Sequence, residues 1–304
     1  GAGLKRGRAG FLVLLGVFIF FAFLQVIWLA KDRHTVLVEV HYFASASIAH
    51  NWIHTELAKD YPYKPEFFPY PPLLPYYTAP FLVLFGCNLD VAVLSLLPFA
   101  WLLMYSVWQL CRMFFSEKGA LAAAVAALCF HHFVNVEPTF PAYPFLSEYL
   151  LDLPMSAFVA LTVLHIVRVS REDTLRNRIA LGVVMGLGSL IRINYPLYIP
   201  FFLAGLFLEK ICVRRTWKSL LHSGLVAAIL AGPWYLLSLP DLLHCFVKRE
   251  FNPGYASQLG MPPVWSDRGL TYYFPVLESM MSLPLAAAVV AGIVLMIWKR
   301  APLW

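Results

Sequence analysis

The sequence predicts an all-α, polytopic integral membrane protein with about eight transmembrane helices and interfacial helices in a long first extracytoplasmic loop. Three observations predict it. Hydrophobic residues make up 60% of the 304 positions and charged residues only 13%, with a mean hydropathy of +0.69. That charge content is about half the roughly 25% of a soluble domain, so lipid must be the main solvent. The apolar residues are gathered into long runs separated by polar segments. The net charge of +6 sits in short basic clusters between those runs, where it orients helices in a bilayer rather than marking a nucleic-acid surface.

The first run, residues 11–30, follows Lys5, Arg6 and Arg8 and is apolar apart from Gln25. At about 1.5 Å per residue it crosses a hydrocarbon core of about 30 Å. No small-residue cleavage site follows, so it is expected to remain as a span rather than to leave as a signal peptide. Residues 31–88 form the longest polar-containing segment. From His41 to Lys59 there is no proline or glycine, and Phe43, Ile48, Trp52, Ile53 and Leu57 recur with roughly helical spacing, which predicts an amphipathic helix lying in the interface. The tract Phe67-Phe68-Pro69-Tyr70-Pro71-Pro72-Leu73-Leu74-Pro75 is expected to be a rigid, non-helical loop re-entering toward the bilayer, because consecutive prolines remove donors and force extended backbone before them.

Further spans are expected at residues 89–111, 119–135, 149–168, 179–192, 195–209, 219–238 and 271–298. The pair around Arg192 is a tight helical hairpin, since Arg192-Ile193-Asn194-Tyr195-Pro196 interrupts the apolar run halfway between two basic clusters. With the N-terminus cytoplasmic, Lys5, Arg6, Arg8, Arg112, Lys118, Arg168, Arg171, Arg176, Arg178, Lys210, Arg214, Arg215, Lys218, Lys299 and Arg300 all fall inside, 15 of the 23 basic residues. The positive-inside rule predicts this bias. It places Glu39, the proline tract, residues 136–148, Arg192 and residues 239–270 on the extracytoplasmic side. The whole of 1–304 reads as one transmembrane module with two large outer loops, 31–88 and 239–270. Cys87, Cys111, Cys129, Cys212 and Cys245 have no CxxC spacing and specify neither a metal site nor a disulfide framework.

The residues that carry chemistry cluster on that outer side. Val38-Glu39-Val40-His41-Tyr42-Phe43 puts a carboxylate and an imidazole between aromatics just past the first span. Glu39 is the candidate general base there, or else an acid favoured at the start of the interfacial helix. An arginine at the bilayer centre costs roughly 2.5 to 3.5 kcal/mol, so Arg192 is expected to face a cavity, a partner or a phosphate, or to snorkel to headgroups. A phosphate suits its fork of donors. Glu148 and Asp152, four apart at the start of a span, can share one helical face and either bind a substrate, hold a divalent cation, or complement the helix dipole. His41 binds a ligand or is structural, and His131-His132 lacks metal-site spacing. No cofactor is required; a divalent cation is compatible. Lys248, Arg249 and Arg268 are secondary phosphate contacts or solvated loop residues, and Pro253-Gly254 with Pro262-Pro263 suits a partly ordered lid.

Glu39-Val40-His41-Tyr42 and Tyr70-Pro71-Pro72-Leu73 resemble the Asp-Glu-Val-His-Phe-like and His-Pro-Pro-Leu motifs of the GT-C class of membrane glycosyltransferases. The resemblance is greatest to dolichyl-phosphate-mannose protein mannosyltransferases and to bacterial relatives such as the lipid A aminoarabinose transferase. Tyr149-Leu150-Leu151-Asp152-Leu153-Pro154 is similar to the acidic start of that family's fourth span. Gly186-Leu187-Gly188-Ser189-Leu190-Ile191-Arg192 is similar to its Gly-Leu-x-x-Leu-x-Lys/Arg segment, and Pro233-Trp234-Tyr235 also recurs there. Two positions depart from the pattern: Val38 replaces the first acid of the pair, and Tyr70 replaces the usual histidine. The chain also ends at Trp304, soon after the last apolar run, and is expected to be a fragment or a minimal module.

The resemblance implies transfer of a hexosyl or pentosyl group from a polyprenyl-phosphate donor to a hydroxyl of a protein, lipid or glycan at the extracytoplasmic face, usually with inversion. Glu39 would be the base, and Arg192, His41, Tyr42, Tyr70, Asp152 and Glu148 would bind substrates. A bacterial inner membrane fits the resemblance better than the endoplasmic reticulum. The competing readings are a transporter or flippase of lipid-linked substrates and a noncatalytic glycosyltransferase subunit. Val38 keeps the subunit reading open; the long first outer loop and polar groups confined to one side stand against the transporter, which needs such groups near the midplane.

Overall fold

A computed structural model describes residues 2–30, 45–50, 71–131, 152–192, 195–196 and 214–250, and all regular structure among them is helical. The principal helices are α1 (Ala2–Ala30), α2 (Leu73–Phe85), α3 (Leu89–Leu94), α4 (Leu97–Cys111), α5 (Glu117–His131), α6 (Asp152–Arg171), α7 (Leu175–Ser189) and α8 (Arg214–Glu250). Four stretches among the described residues are long and apolar enough to cross a membrane: Arg8–Ile27, Leu89–Cys111, Leu153–Arg171 and Lys218–Leu243. The chain divides into two compact units, residues 1–131 with 145–237 and residues 132–144 with 238–304. Of the second, only the last turns of α8 are described. The expected spans at 195–209 and 271–298 lie almost wholly outside the described residues, as does the interfacial helix beyond its start at 45–50.

One local expectation is corrected. The proline tract is not irregular throughout, because α2 begins inside it at Leu73 and runs through Pro75 and Pro80. Pro75 stands in the first turn, where the missing N–H would have had no intrahelical partner anyway; Pro80 forfeits one backbone bond. At 13 residues, or roughly 20 Å, α2 is too short to span. Gly86 ends it at φ 102°, its N–H reaching Leu82 O at 3.0 Å, a glycine-dependent helix stop. Asn88 then caps α3 by accepting the Val91 N–H at 2.8 Å. At α8 the expected span 219–238 is extended at both ends to 214–250, since Pro233 and Pro240 each remove only one hydrogen bond from a helix already supported by its length.

Packing runs in order along the chain. α4 lies between α5 and α6, and α7 lies against α6. The Tyr77 and Phe99 rings stand 4.8 Å apart, and Phe99 and Phe158 6.3 Å, which links α2, α4 and α6. Helices in lipid gain little from apolar burial and associate through close fit and interhelical hydrogen bonds. The α7–α8 pair shows both. Gly182 and Gly186 form a Gly-x-x-x-Gly stripe; a Cβ on Gly182 would stand 2.6 Å from Ser223 O, and one on Gly186 2.9 Å from Leu230 Cβ. Only glycine admits so near an approach. The outward residues of α8, among them Leu221, Leu225, Ile229 and Leu237, are exposed, as are Leu12, Ile19, Phe20 and Phe23 of α1; these are lipid-facing surfaces.

α1 packs on its neighbours along its length, with Gln25 and Leu29 buried near its end. Phe11 and Phe18 pack on Trp101 at 5.8 and 5.2 Å between ring centres, and Gly10 lies directly against the Glu117 side chain. Glu117 in turn accepts from Trp108 Nε1 at 3.0 Å and from Arg112 Nε at 3.0 Å, while the guanidinium covers the Trp108 ring at 4.5 Å. Arg171 at the end of α6 stacks on Phe114 at 5.4 Å, so the ends of α4 and α6 and the starts of α5 and α7 share one basic edge.

Candidate functional site

At the opposite end of α7 lies the turn Ser189-Leu190-Ile191-Arg192. A helix leaves its last four carbonyls without intrahelical partners, and in an apolar setting each must find one. Leu190 N–H reaches Gly186 O and Leu187 O at 3.2 and 3.0 Å, and Ile191 N–H and Arg192 N–H turn back to Gly188 O at 3.1 and 3.4 Å. Two further carbonyls of the turn accept bonds from elsewhere in the chain. Ser189 O accepts the Tyr235 hydroxyl at 3.0 Å, and Leu190 O accepts the Leu73 N–H at 3.0 Å. The start of α2 and the middle of α8 therefore converge on one turn.

Tyr195 completes the enclosure. Its N–H reaches Arg192 O at 3.0 Å. The ring lies so close over Gly188 that any Cβ there would overlap it. The hydroxyl pairs with Thr162 on α6 and lies 3.4 Å from Phe158 O. Tyr195 is fully buried. The two glycines of Gly186-Leu187-Gly188 thus serve different neighbours, Leu230 on α8 and Tyr195.

Of the sequence-predicted residues, Arg192 stands at the centre of this arrangement, half-exposed and engaged in a further interaction with its surroundings. Asp152 begins α6, six residues before Phe158 and hence about 9 Å further along the axis, at the same end of the bundle as Arg192. Pro71 and Pro72 bring the proline motif to the turn through Leu73, with Pro71 buried. Glu39, His41, Tyr42, Tyr70 and Glu148 lie outside the described residues, as do Lys248, Arg249 and Arg268 in their side chains. Sequence reasoning missed Thr162 and Tyr195. The available signal for them was weak: a threonine within the apolar run of α6, and a tyrosine seven residues after Gly188. Among the described residues no cluster of three or more His, Cys, Asp or Glu can hold a metal ion.

The basic edge carries a second polar cluster. Asp173 accepts from Arg178 Nε at 2.7 Å and, through its other oxygen, from a terminal guanidinium nitrogen at 2.8 Å; Ser219 Oγ donates to it at 2.6 Å. The other terminal nitrogen of Arg178 lies 3.2 Å from His222 Nδ1, which must accept because guanidinium only donates. The bond to Asp173 pushes the Arg178 pKa above its usual value. This cluster, with Ser223 Oγ donating to Arg178 O at 2.9 Å, clamps α7 to α8 a full helix length from Arg192.

Helices of spanning length, lipid-facing apolar surfaces, a basic edge, and a turn bearing arginine at the other edge define a polytopic membrane protein with a polar site at one end of its bundle. The model of the dolichyl-phosphate-mannose-protein mannosyltransferase family matches residues 69–236, more than half of the chain and all of the segments that meet at the turn. The chain belongs to this family, within the GT-C class of membrane glycosyltransferases. Its fold is similar to that of ArnT from Cupriavidus metallidurans, solved bound to undecaprenyl phosphate, with a TM-score of 0.57 and 17% identity. The alignment covers 96% of this chain and 51% of that one, so the chain spans about half the length of that structure. No curated protein matches the sequence.

Proposed function

We propose that the protein transfers a sugar from a polyprenyl-phosphate carrier to an acceptor hydroxyl at the extracytoplasmic face of a membrane. The observation that carries this reading is the convergence of three family-matched segments, around Leu73, Arg192 and Tyr235, on one enclosed turn bearing a guanidinium. A lipid phosphate leaving a sugar carbon needs a positive partner at the membrane edge, and a guanidinium answers it with paired donors. In the reaction the acceptor oxygen bonds to the anomeric carbon, the bond from that carbon to the phosphate oxygen breaks, and the acceptor proton passes to Glu39. Arg192 binds the departing phosphate, His41, Tyr42 and Tyr70 line the donor side, and Asp152 with Glu148 orients the acceptor. Because the guanidinium supplies the charge, this reading requires no metal ion.

The test is Glu39→Gln, assayed with radiolabelled polyprenyl-phosphate sugars in membranes carrying the full chain. Glutamine keeps the side chain's size and its acceptor oxygen but takes no proton at neutral pH. Transfer should fall by about 10²- to 10⁴-fold, the usual worth of a general base, with expression and donor binding near parental. Parental turnover would overturn the assignment and shift attention to Asp152 and Glu148.

A further inference from the structure

We infer that Tyr235 is a positioning residue for Arg192: its hydroxyl fixes the Ser189–Arg192 turn that carries the guanidinium. This rests on reading Arg192 as the phosphate ligand. The argument begins with Ser189 O. The N–H groups of Leu190, Ile191 and Arg192 all point back to Gly186, Leu187 and Gly188, so among the described residues the donor to this carbonyl is the Tyr235 hydroxyl. Ser189 is itself buried, which hinders water from taking the place of that bond. Without the Tyr235 hydroxyl at 3.0 Å, the peptide plane of Ser189 gains by rotating toward another donor, and every residue up to Arg192 moves with it.

Tyr235 is built to hold a position. Its ring is braced by Trp234 in an edge-to-face contact of 4.8 Å, and a phenol has only two rotatable side-chain bonds to immobilise. The helix that presents it cannot slide freely along α7, because Gly182 and Gly186 admit α8 at near-contact distance and the Ser219–Asp173 and Ser223–Arg178 O bonds pin the far end. A donor on a fixed element acting on the turn that bears a ligand group is the arrangement that pre-organises a site. Tyr195 and Leu73 hold the same turn from two other sides. Tyr235 differs from Leu73 in acting through a side chain, and from Tyr195 in coming from a segment far away in the chain, so its deletion isolates one bond.

The experiment measures binding of tritiated undecaprenyl phosphate to the full chain in isolated membranes, normalised to immunoblotted protein so that purification is not needed. Four proteins form a cycle: parent, Tyr235→Phe, Arg192→Ala and the double variant. Tyr235→Phe should weaken binding about threefold to tenfold, the worth of one hydrogen bond, and should change nothing further when Arg192 is already alanine. Ser223→Ala, which removes another α7–α8 bond at the opposite end, should bind as the parent does. Equal losses from Tyr235→Phe in both backgrounds, or the same loss from Ser223→Ala, would overturn the inference in favour of general support of the helix pair. Parental binding by Tyr235→Phe alongside a loss in Arg192→Ala would overturn the positioning role and leave the phosphate reading standing. Parental binding by Arg192→Ala would remove the phosphate reading and this inference together.

Discussion

In the proposed function, Arg192 is the residue that meets the lipid phosphate. It follows Ile191, which is fully buried, and closes a turn whose Ser189 and Leu190 carbonyls accept bonds from Tyr235 and Leu73, so its backbone is braced while its side chain remains half-exposed. A lysine at this place keeps the charge but replaces a planar fork with a point donor. Arg192→Ala should therefore weaken use of the polyprenyl-phosphate donor more than Arg192→Lys, with Lys itself below the parent. Titrating turnover against donor concentration for the three proteins checks the order. Equal KM and kcat in all three would reduce Arg192 to a headgroup anchor.

At the scale of elements, the α7–α8 pair shows how small residues set helix separation in lipid. Gly182 faces the Ser223 carbonyl at a distance no methyl group can share, whereas Gly224 on the partner helix has nothing within 4 Å of where a Cβ would stand. Gly182→Ala must push the helices apart, and an overpacked contact of this kind costs about 1 to 3 kcal/mol. Gly224→Ala meets no obstacle and gains up to roughly 1 kcal/mol of helix propensity. Thermal unfolding in detergent should place Gly182→Ala below the parent and Gly224→Ala at or above it. The reverse order would mean that α7 and α8 do not meet along this stripe. The prolines of α2 show the same economy, since Pro75 falls where a helix start has an N–H to spare.

For the whole molecule, the distribution of charge follows the direction of the helices. Arg112, Lys118, Arg171, Arg176 and Arg178 belong to the ends of α4 and α6 and the starts of α5 and α7, the edge marked by the Arg171–Phe114 stacking. Asp152 and Arg192 lie at the other edge. If the basic edge is cytoplasmic, as the positive-inside rule predicts, cysteines placed at Glu56 and Gln258 should react with an impermeant maleimide in intact cells, and one at Arg176 should not, in a background lacking the native cysteines. Labelling at Arg176 would sink the eight-span arrangement.

The all-helical membrane class and the boundaries of the span at 89–111 followed from the sequence alone, because solvation by lipid imposes long apolar runs and charge asymmetry that need no tertiary knowledge, and the family followed from the resemblance of its motifs. The sequence also singled out Arg192, the proline motif and Pro233-Trp234-Tyr235 as separate signals. It did not show that they touch. Only the tertiary structure decided that Leu73 and Tyr235 close the same turn, that α2 is a helix rather than a loop, and that Thr162 and Tyr195 belong to the enclosure. The physical reason is that a helix end must satisfy its last carbonyls with whatever donors packing brings near. Those donors come from 46 residues further along the chain at Tyr235 and from far upstream at Leu73, and local periodicity carries no record of either meeting.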